Sequence, residues 1–196
     1  MADSLAPDAV RPLLSGRFGH VYRYEELCVS TQRLLRADDE EGAVAVAEEQ
    51  SEGRGRLGRR WQAPAGTSVL VSVLLRPPIE PSRLPELSLV AGGAVAQAIA
   101  EVTGIDPVIK FPNDVLVGGR KVAGILAESS EGRVVLGIGV NVNQTAEQLP
   151  AGTETDPTSL RLELDEPVDR GALLAAILLQ LERAYDTWIS GTAKSR

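Results

Sequence analysis

The sequence predicts an α/β (α+β) domain, with a mixed, largely antiparallel sheet backed by helices. Three observations carry this expectation. Short apolar, β-branched runs recur along the chain, several of them joined by turns too short for a crossover helix, and only two long segments, 84–102 and 168–189, keep helical spacing. A doubly wound parallel sheet needs a helix after nearly every strand, and the chain does not supply them. At 196 residues, with 43% hydrophobic and 24% charged residues, it suits one domain able to bury a sizeable core.

In chain order, residues 1–18 read as a loose lead-in or short helix, and 21–27 as a strand. Ser30 then caps a short helix over 31–35. The apolar run 43–47 predicts a buried strand. Residues 51–68 hold four Gly, four Arg and one Pro, which mark a loop. The β-branched run 69–75 is a strand closed by Pro77, Pro78 and Pro81. Residues 84–102, alanine-rich, form a buried helix. Residues 108–111 make a short strand stopped by Pro112. Residues 115–117 and 121–127 form a hairpin on Gly118-Gly119, because both turn positions tolerate positive φ. Residues 134–142 form the next strand after a Glu131-Gly132 turn. A short helix is expected near 159–164, a long amphipathic one over 168–189, and a polar tail over 191–196.

The net charge of −7 argues against general nucleic-acid binding, which needs a positive field. The single cysteine, Cys28, excludes an internal disulfide framework and fits a reduced, cytoplasmic setting. No stretch approaches the roughly 18–20 apolar residues of a membrane span, and the N-terminus carries no signal-peptide core.

The strongest local signal is Gly53-Arg54-Gly55-Arg56-Leu57-Gly58-Arg59-Arg60-Trp61. Its glycines allow close backbone approach, and its arginines offer planar, permanently charged forks for phosphate or carboxylate. It also matches G-x-G-x-x-G, but a dinucleotide fingerprint needs a helix next and an acid about 20 residues on. Pro64, Gly66 and a strand follow instead. A solvated basic loop is the plain alternative. A second constellation is Lys110-Phe111-Pro112-Asn113-Asp114 with Gly119-Arg120-Lys121 across the hairpin. Asn113 and Asp114 either form a turn or face a ligand, and a lysine beside a basic loop can stabilise developing negative charge. In Gly137-Ile138-Gly139-Val140-Asn141-Val142-Asn143, glycine within a strand marks close approach by a ligand or another backbone. Asn141 could read an adenine edge or hold a loop. Cys28 reads as a small core residue and His20 as structural or solvated.

Taken in order, Ser30-Thr31, Gln50 with the 53–61 loop, 110–114, 119–128 and 137–143 resemble the motif series of biotin–protein ligases, over about residues 22–143. The resemblance implies the catalytic fold shared with lipoate ligases and related to class II aminoacyl-tRNA synthetases. It implies that biotin and ATP, with Mg2+, form biotinyl-5′-AMP, and that a lysine of a biotin carboxyl carrier protein or domain then takes the biotin. By the same resemblance Ser30, Thr31, Gln32 and Gln50 meet the ureido ring, and Gly53, Arg54, Gly55 and Arg56 close over biotin and the adenylate. Lys121, beside Gly124, contacts the biotin carboxylate and the α-phosphate, with Arg54 and Arg56 as its catalytic companions. Arg56, Arg59, Trp61, Asn113, Asp114 and Asn141 lie on the nucleotide side, and no metal ligand is assigned.

Two residues depart from the family pattern: Gln32 replaces the usual Asn, and Phe111 replaces the usual Trp. The expected division is a lead-in over 1–20, a catalytic domain over 21–190 and a tail over 191–196. Neither an N-terminal DNA-binding domain nor a C-terminal β-barrel is expected, so no DNA and no membrane partner is expected, and an exposed strand edge would allow a homodimer. Competing readings are a lipoate–protein ligase or octanoyltransferase of the same fold, and a non-catalytic biotin sensor.

Overall fold

The structure, a computed structural model, describes residues 3–130 and 132–193. A short helix α1 (Pro7–Val10) and a 3-10 turn (Arg11–Leu13) precede strand β1 (Tyr22–Cys28). Helix α2 (Thr31–Leu34) leads to β2 (Val44–Gln50) and β3 (Ser68–Leu75). Helix α3 (Leu84–Thr103) follows, then β4 (Val108–Lys110), β5 (Asp114–Val117), β6 (Arg120–Ser130) and β7 (Arg133–Asn141). Helices α4 (Leu160–Leu164) and α5 (Arg170–Ala193) complete the described residues. The strands form one open sheet in the order β1-β2-β3-β7-β6-β5-β4. Only β1 and β2 pair in parallel; the other neighbours are antiparallel. The expected mixed, largely antiparallel sheet is therefore the fold.

Strand alternation divides the sheet into two faces. On β3, Val69, Val71, Val73 and Leu75 join the main core, and on β7 Val134, Leu136, Ile138 and Val140 do the same. Helices α3 and α5 cover that face and pack against each other. Alanine and glycine on α3 permit this: Ala91, Gly92, Ala94 and Ala98 are buried in one stripe, and the helix ends on Gly104, at φ 75°. The opposite face carries Ser72, Gly137, Gly139 and Asn141, and there the cavity opens.

Two boundaries differ from expectation. Helix α5 runs to Ala193, into the segment read as tail, because no proline interrupts it and Gly191 costs a helix only about 1 kcal/mol; residues 194–196 lie outside the described chain, as does Glu131 of the expected turn. The lead-in is part of the core. Leu5, Val10 and Phe18 are buried, and the Tyr22 hydroxyl donates to the Leu5 carbonyl at 2.8 Å. Arg170, only 1% exposed, donates to Asp3 at 2.8 Å and to Glu48 at 2.5 Å. Three isolated apolar residues among prolines carry no periodicity, so the sequence hides this packing.

Candidate functional site

The site grows from the glycines of two strands. Gly139 of β7 and Gly124 of β6 sit directly opposite each other in the register. Together they leave a bare patch of backbone on the open face. The Trp61 indole covers it: a Cβ on Gly139 would lie 2.5 Å from the ring, and one on Gly124 would lie 3.0 Å from it. Two residues along β7, Gly137 makes the same room for Gln32, whose Nε2 lies 3.3 Å from where a Cβ would stand. The in-strand glycines thus mark close approach, as their positions suggest.

Beyond this floor lies a neutral polar end. Ser30 and Thr31 are buried at the start of α2. The Thr31 amide donates to Gln50 Oε1 at 2.8 Å, and the Thr31 and Ser72 hydroxyls share a hydrogen bond of 2.7 Å. Gln32 Nε2 is buried with no partner, as is Trp61 Nε1. Buried N–H donors without acceptors are rare in folded proteins.

The arginine–glycine segment folds as a hairpin over the cavity. The Trp61 amide donates to the Gly53 carbonyl at 2.9 Å, and the Gly55 amide to the Arg59 carbonyl at 2.8 Å. Only glycine serves at 53, where a Cβ would meet the Trp61 carbonyl oxygen at 2.2 Å. Leu57 and Gly58 turn the tip with φ of 59° and 74°. Three arginines tie the hairpin down: Arg54 to Glu128 at 3.0 Å, Arg56 to the Asn113 side-chain oxygen at 2.9 Å, and Arg59 to Glu154 at 3.0 Å. All three contacts are exposed. Such contacts contribute little stability, so anions entering the cavity can replace them.

A bulge places Lys121. Asp114 pairs with Gly124 and Val115 with Ala123, then the register slips so that Leu116 meets Lys121. Without the slip, alternation would turn Lys121 to the helix side with Ala123 and Ile125. With it, Val122 enters the core and Lys121 faces the cavity. Its Nζ lies 2.7 Å from Asp114 Oδ1 and 5.7 Å from the centre of the Trp61 ring. Its backbone is clasped by the next segment: the Lys121 amide donates to the Asp156 carbonyl, and the Thr158 amide to the Lys121 carbonyl, each at 2.8 Å. Asn113 donates to Asp114 Oδ1 at 3.0 Å. Asn141 donates to the Thr158 carbonyl and accepts from Gln144, both at 3.0 Å, so it lines the cavity while holding a loop.

These groups enclose a cavity of about 710 Å³, within the range that accommodates a cofactor-sized ligand. Ser30, Thr31, Gln32, Gln50, Arg54, Gly55, Arg56, Arg59, Trp61, Asn113, Asp114, Lys121, Gly124 and Asn141 all line it. Gly53 lies in an adjoining groove of about 570 Å³ and acts through backbone alone. His20 is exposed and Cys28 is buried, both away from the wall. Sequence reasoning named Lys110 within the second constellation but gave it no role, and it missed Ser72 and the segment 150–157. Ser72 is one hydroxyl in the middle of an apolar run, Val69 to Leu75. The 150–157 segment has neither periodicity nor a charged motif, and only its contacts with Arg59, Lys110 and Lys121 reveal it. Among the described residues no three His, Cys, Asp or Glu side chains cluster to hold a metal ion, and no helix is long and apolar enough to cross a membrane.

The biotin/lipoate A/B protein ligase family matches residues 25–144. The bifunctional ligase/repressor BirA of Bacillus subtilis is 39% identical over 176 residues, covering 85% of this chain and 54% of that protein. The biotin–[acetyl-CoA-carboxylase] ligase of Mycobacterium tuberculosis is 41% identical over 161 residues, 80% of this chain and 59% of that one. The chain thus spans somewhat over half the length of these curated relatives. Among solved structures, the biotin protein ligase of Aquifex aeolicus in complex with biotin and ATP superposes with a TM-score of 0.77 at 32% identity, covering 87% of this chain and 72% of that one.

Proposed function

Because the chain belongs to the biotin/lipoate A/B protein ligase family, we propose that it activates biotin with ATP and transfers it to a lysine of a biotin carboxyl carrier domain. One observation carries the reading: the cavity is neutral and polar at one end and cationic at the other. Thr31, Gln50 and the unpartnered Gln32 amide suit a ureido head, and Lys121 beneath the arginine hairpin suits a carboxylate meeting a phosphate. The Aquifex aeolicus relative holds biotin and ATP, which supports the same pairing of ligands.

The chemistry follows from charge. A biotin carboxylate oxygen attacks the α-phosphorus of ATP, the bond to the bridging oxygen breaks, and pyrophosphate leaves with the electron pair. Two anions must meet, and Lys121 with Arg54 and Arg56 screens their repulsion and stabilises the crowded phosphorus. Arg59, Trp61, Asn113, Asp114 and Asn141 shape the nucleotide side. Trp61 and the hairpin cover the product, keeping water from the mixed anhydride. The neutral amine of a carrier lysine then attacks the biotinyl carbonyl, AMP leaves, and the amine loses its proton. Mg2+ fits as a companion of ATP, with Asp114 and Glu154 as the carboxylates lining the cavity, since magnesium is commonly held by substrate phosphates and one or two carboxylates. It would neutralise phosphate charge.

The test is pyrophosphate release from ATP and magnesium, with biotin added or withheld, in the native chain and Lys121→Ala. Biotin-dependent release that falls by about 100-fold or more in the variant is expected. Tight biotin binding with no release in either protein would leave a sensor as the function, and preference for lipoate would move the chain to the sister activity.

A further inference from the structure

We propose that Lys110 is a second catalytic lysine, holding the pyrophosphate as it leaves. The inference rests on the adenylate-forming reading and adds a residue to it. Lys110 ends β4 and pairs directly with Asp114 across the β4–β5 ladder. Directly opposed residues of an antiparallel pair project to the same face, with Cβ atoms about 5 Å apart. Asp114 in turn pairs with Gly124 and binds Lys121. One carboxylate therefore stands between two lysines on the cavity side, and both lysines line the wall.

Their partners differ. Lys121, Arg54 and Arg59 each face a carboxylate: Asp114, Glu128 and Glu154. Lys110 and Arg56 are held by neutral oxygens, the Thr155 hydroxyl at 2.7 Å and the Asn113 amide at 2.9 Å. A cation held by a neutral group gives up that bond to a phosphate readily, because the bond that replaces it joins two opposite charges and breaks no existing ion pair. When the bond to the α-phosphorus breaks, negative charge moves onto the departing pyrophosphate. Lys121 serves the acyl–phosphate junction, and Lys110, two strands further toward the sheet edge, is the cation placed to receive the charge that departs.

The full chain tests this, with Lys110→Ala and Lys110→Arg beside the native protein. In Lys110→Ala the KM for ATP is expected to rise, and inhibition by added pyrophosphate to weaken, each by about tenfold. Biotin affinity and transfer from preformed biotinyl-5′-AMP to a carrier should stay within twofold, and Lys110→Arg should recover most of the loss. Unchanged pyrophosphate inhibition overturns the inference. So does a transfer step that falls as far as activation, which would make Lys110 a carrier contact. Direct titration with magnesium pyrophosphate decides the point even if the native chain releases none from ATP. In that case the adenylate reading fails, while Lys110-dependent pyrophosphate binding still stands or falls on its own.

Discussion

Two glycines facing each other across β6 and β7 decide what the cavity admits. A methyl on Gly139 would stand 2.5 Å from the Trp61 ring and must push the indole, and the hairpin that carries it, away from the floor. Gly139→Ala is expected to lower biotin-dependent pyrophosphate release by about 100-fold, since displacement near 1 Å costs that much, while thermal melting moves by only a few degrees. Cys28 gives the opposite kind of prediction. Burial pushes its thiol up to about 11 from an ordinary value of 9.0, so little of it ionises at pH 8. Alkylation by iodoacetamide at that pH should run about 100-fold slower than for a free thiol, and equal rates would mean the β1 terminus opens freely. At this scale the residue types were legible in the sequence, but their facing was not. Alternation alone turns Lys121 toward the helices, and the bulge that reverses it comes from a slip between Val115 and Leu116 that no residue type announces. Ser72 and Thr155 were hidden for a related reason: each is a single hydroxyl whose partner, Thr31 or Lys110, lies tens of residues away.

Elements here are fastened to one another by buried or half-buried charge. Arg170 joins the start of α5 to Asp3 of the lead-in, Glu48 of β2 and the Ser68 carbonyl of β3. Removing the guanidinium leaves the Asp3 and Glu48 carboxylates without their counter-charge, so Arg170→Met is expected to cost about 3–5 kcal/mol in urea denaturation. On the other face, Arg23 of β1 grips Asp39, which also accepts from the Arg36 amide at 2.8 Å. The Arg23 hydrogen bonds hold the Asp39 carboxyl below its ordinary 3.8. A depressed carboxyl contributes stability above its unfolded value and loses it as pH falls through the folded one. The melting difference between native protein and Asp39→Asn should therefore be constant near neutrality and shrink below about pH 4. A gap that persists at pH 2 would mean the aspartate acts by shape alone. The strands and long helices were readable because their apolar periodicities are strong. The 53–61 hairpin read only as a loop, since its pairing uses backbone groups and glycines rather than any alternating pattern.

For the whole molecule, the sheet order is the feature that matters most. The sequence indicated a mixed sheet from its short turns, yet the insertion of β7 between β3 and β6 depends on pairings remote in the chain, which local pattern cannot specify. The lead-in belongs to this whole. Deleting residues 1–20 removes buried Leu5, Val10 and Phe18, each contributing roughly 1.5–3 kcal/mol, so the shortened chain should melt far lower by circular dichroism. A melting point unchanged by the deletion would show the segment to be a bystander. The central position of β7 also bears on synthesis. Ser72 is made long before Gly137 and Gly139, yet all three belong to one floor. A chain still on the ribosome, with β1 to β3 emerged, holds half of that floor and an unpaired β3 edge. It cannot retain ligand until β7 arrives, so a ligand of this cavity can stabilise only a chain grown past Asn141, and the waiting edge is where a chaperone would find its hold.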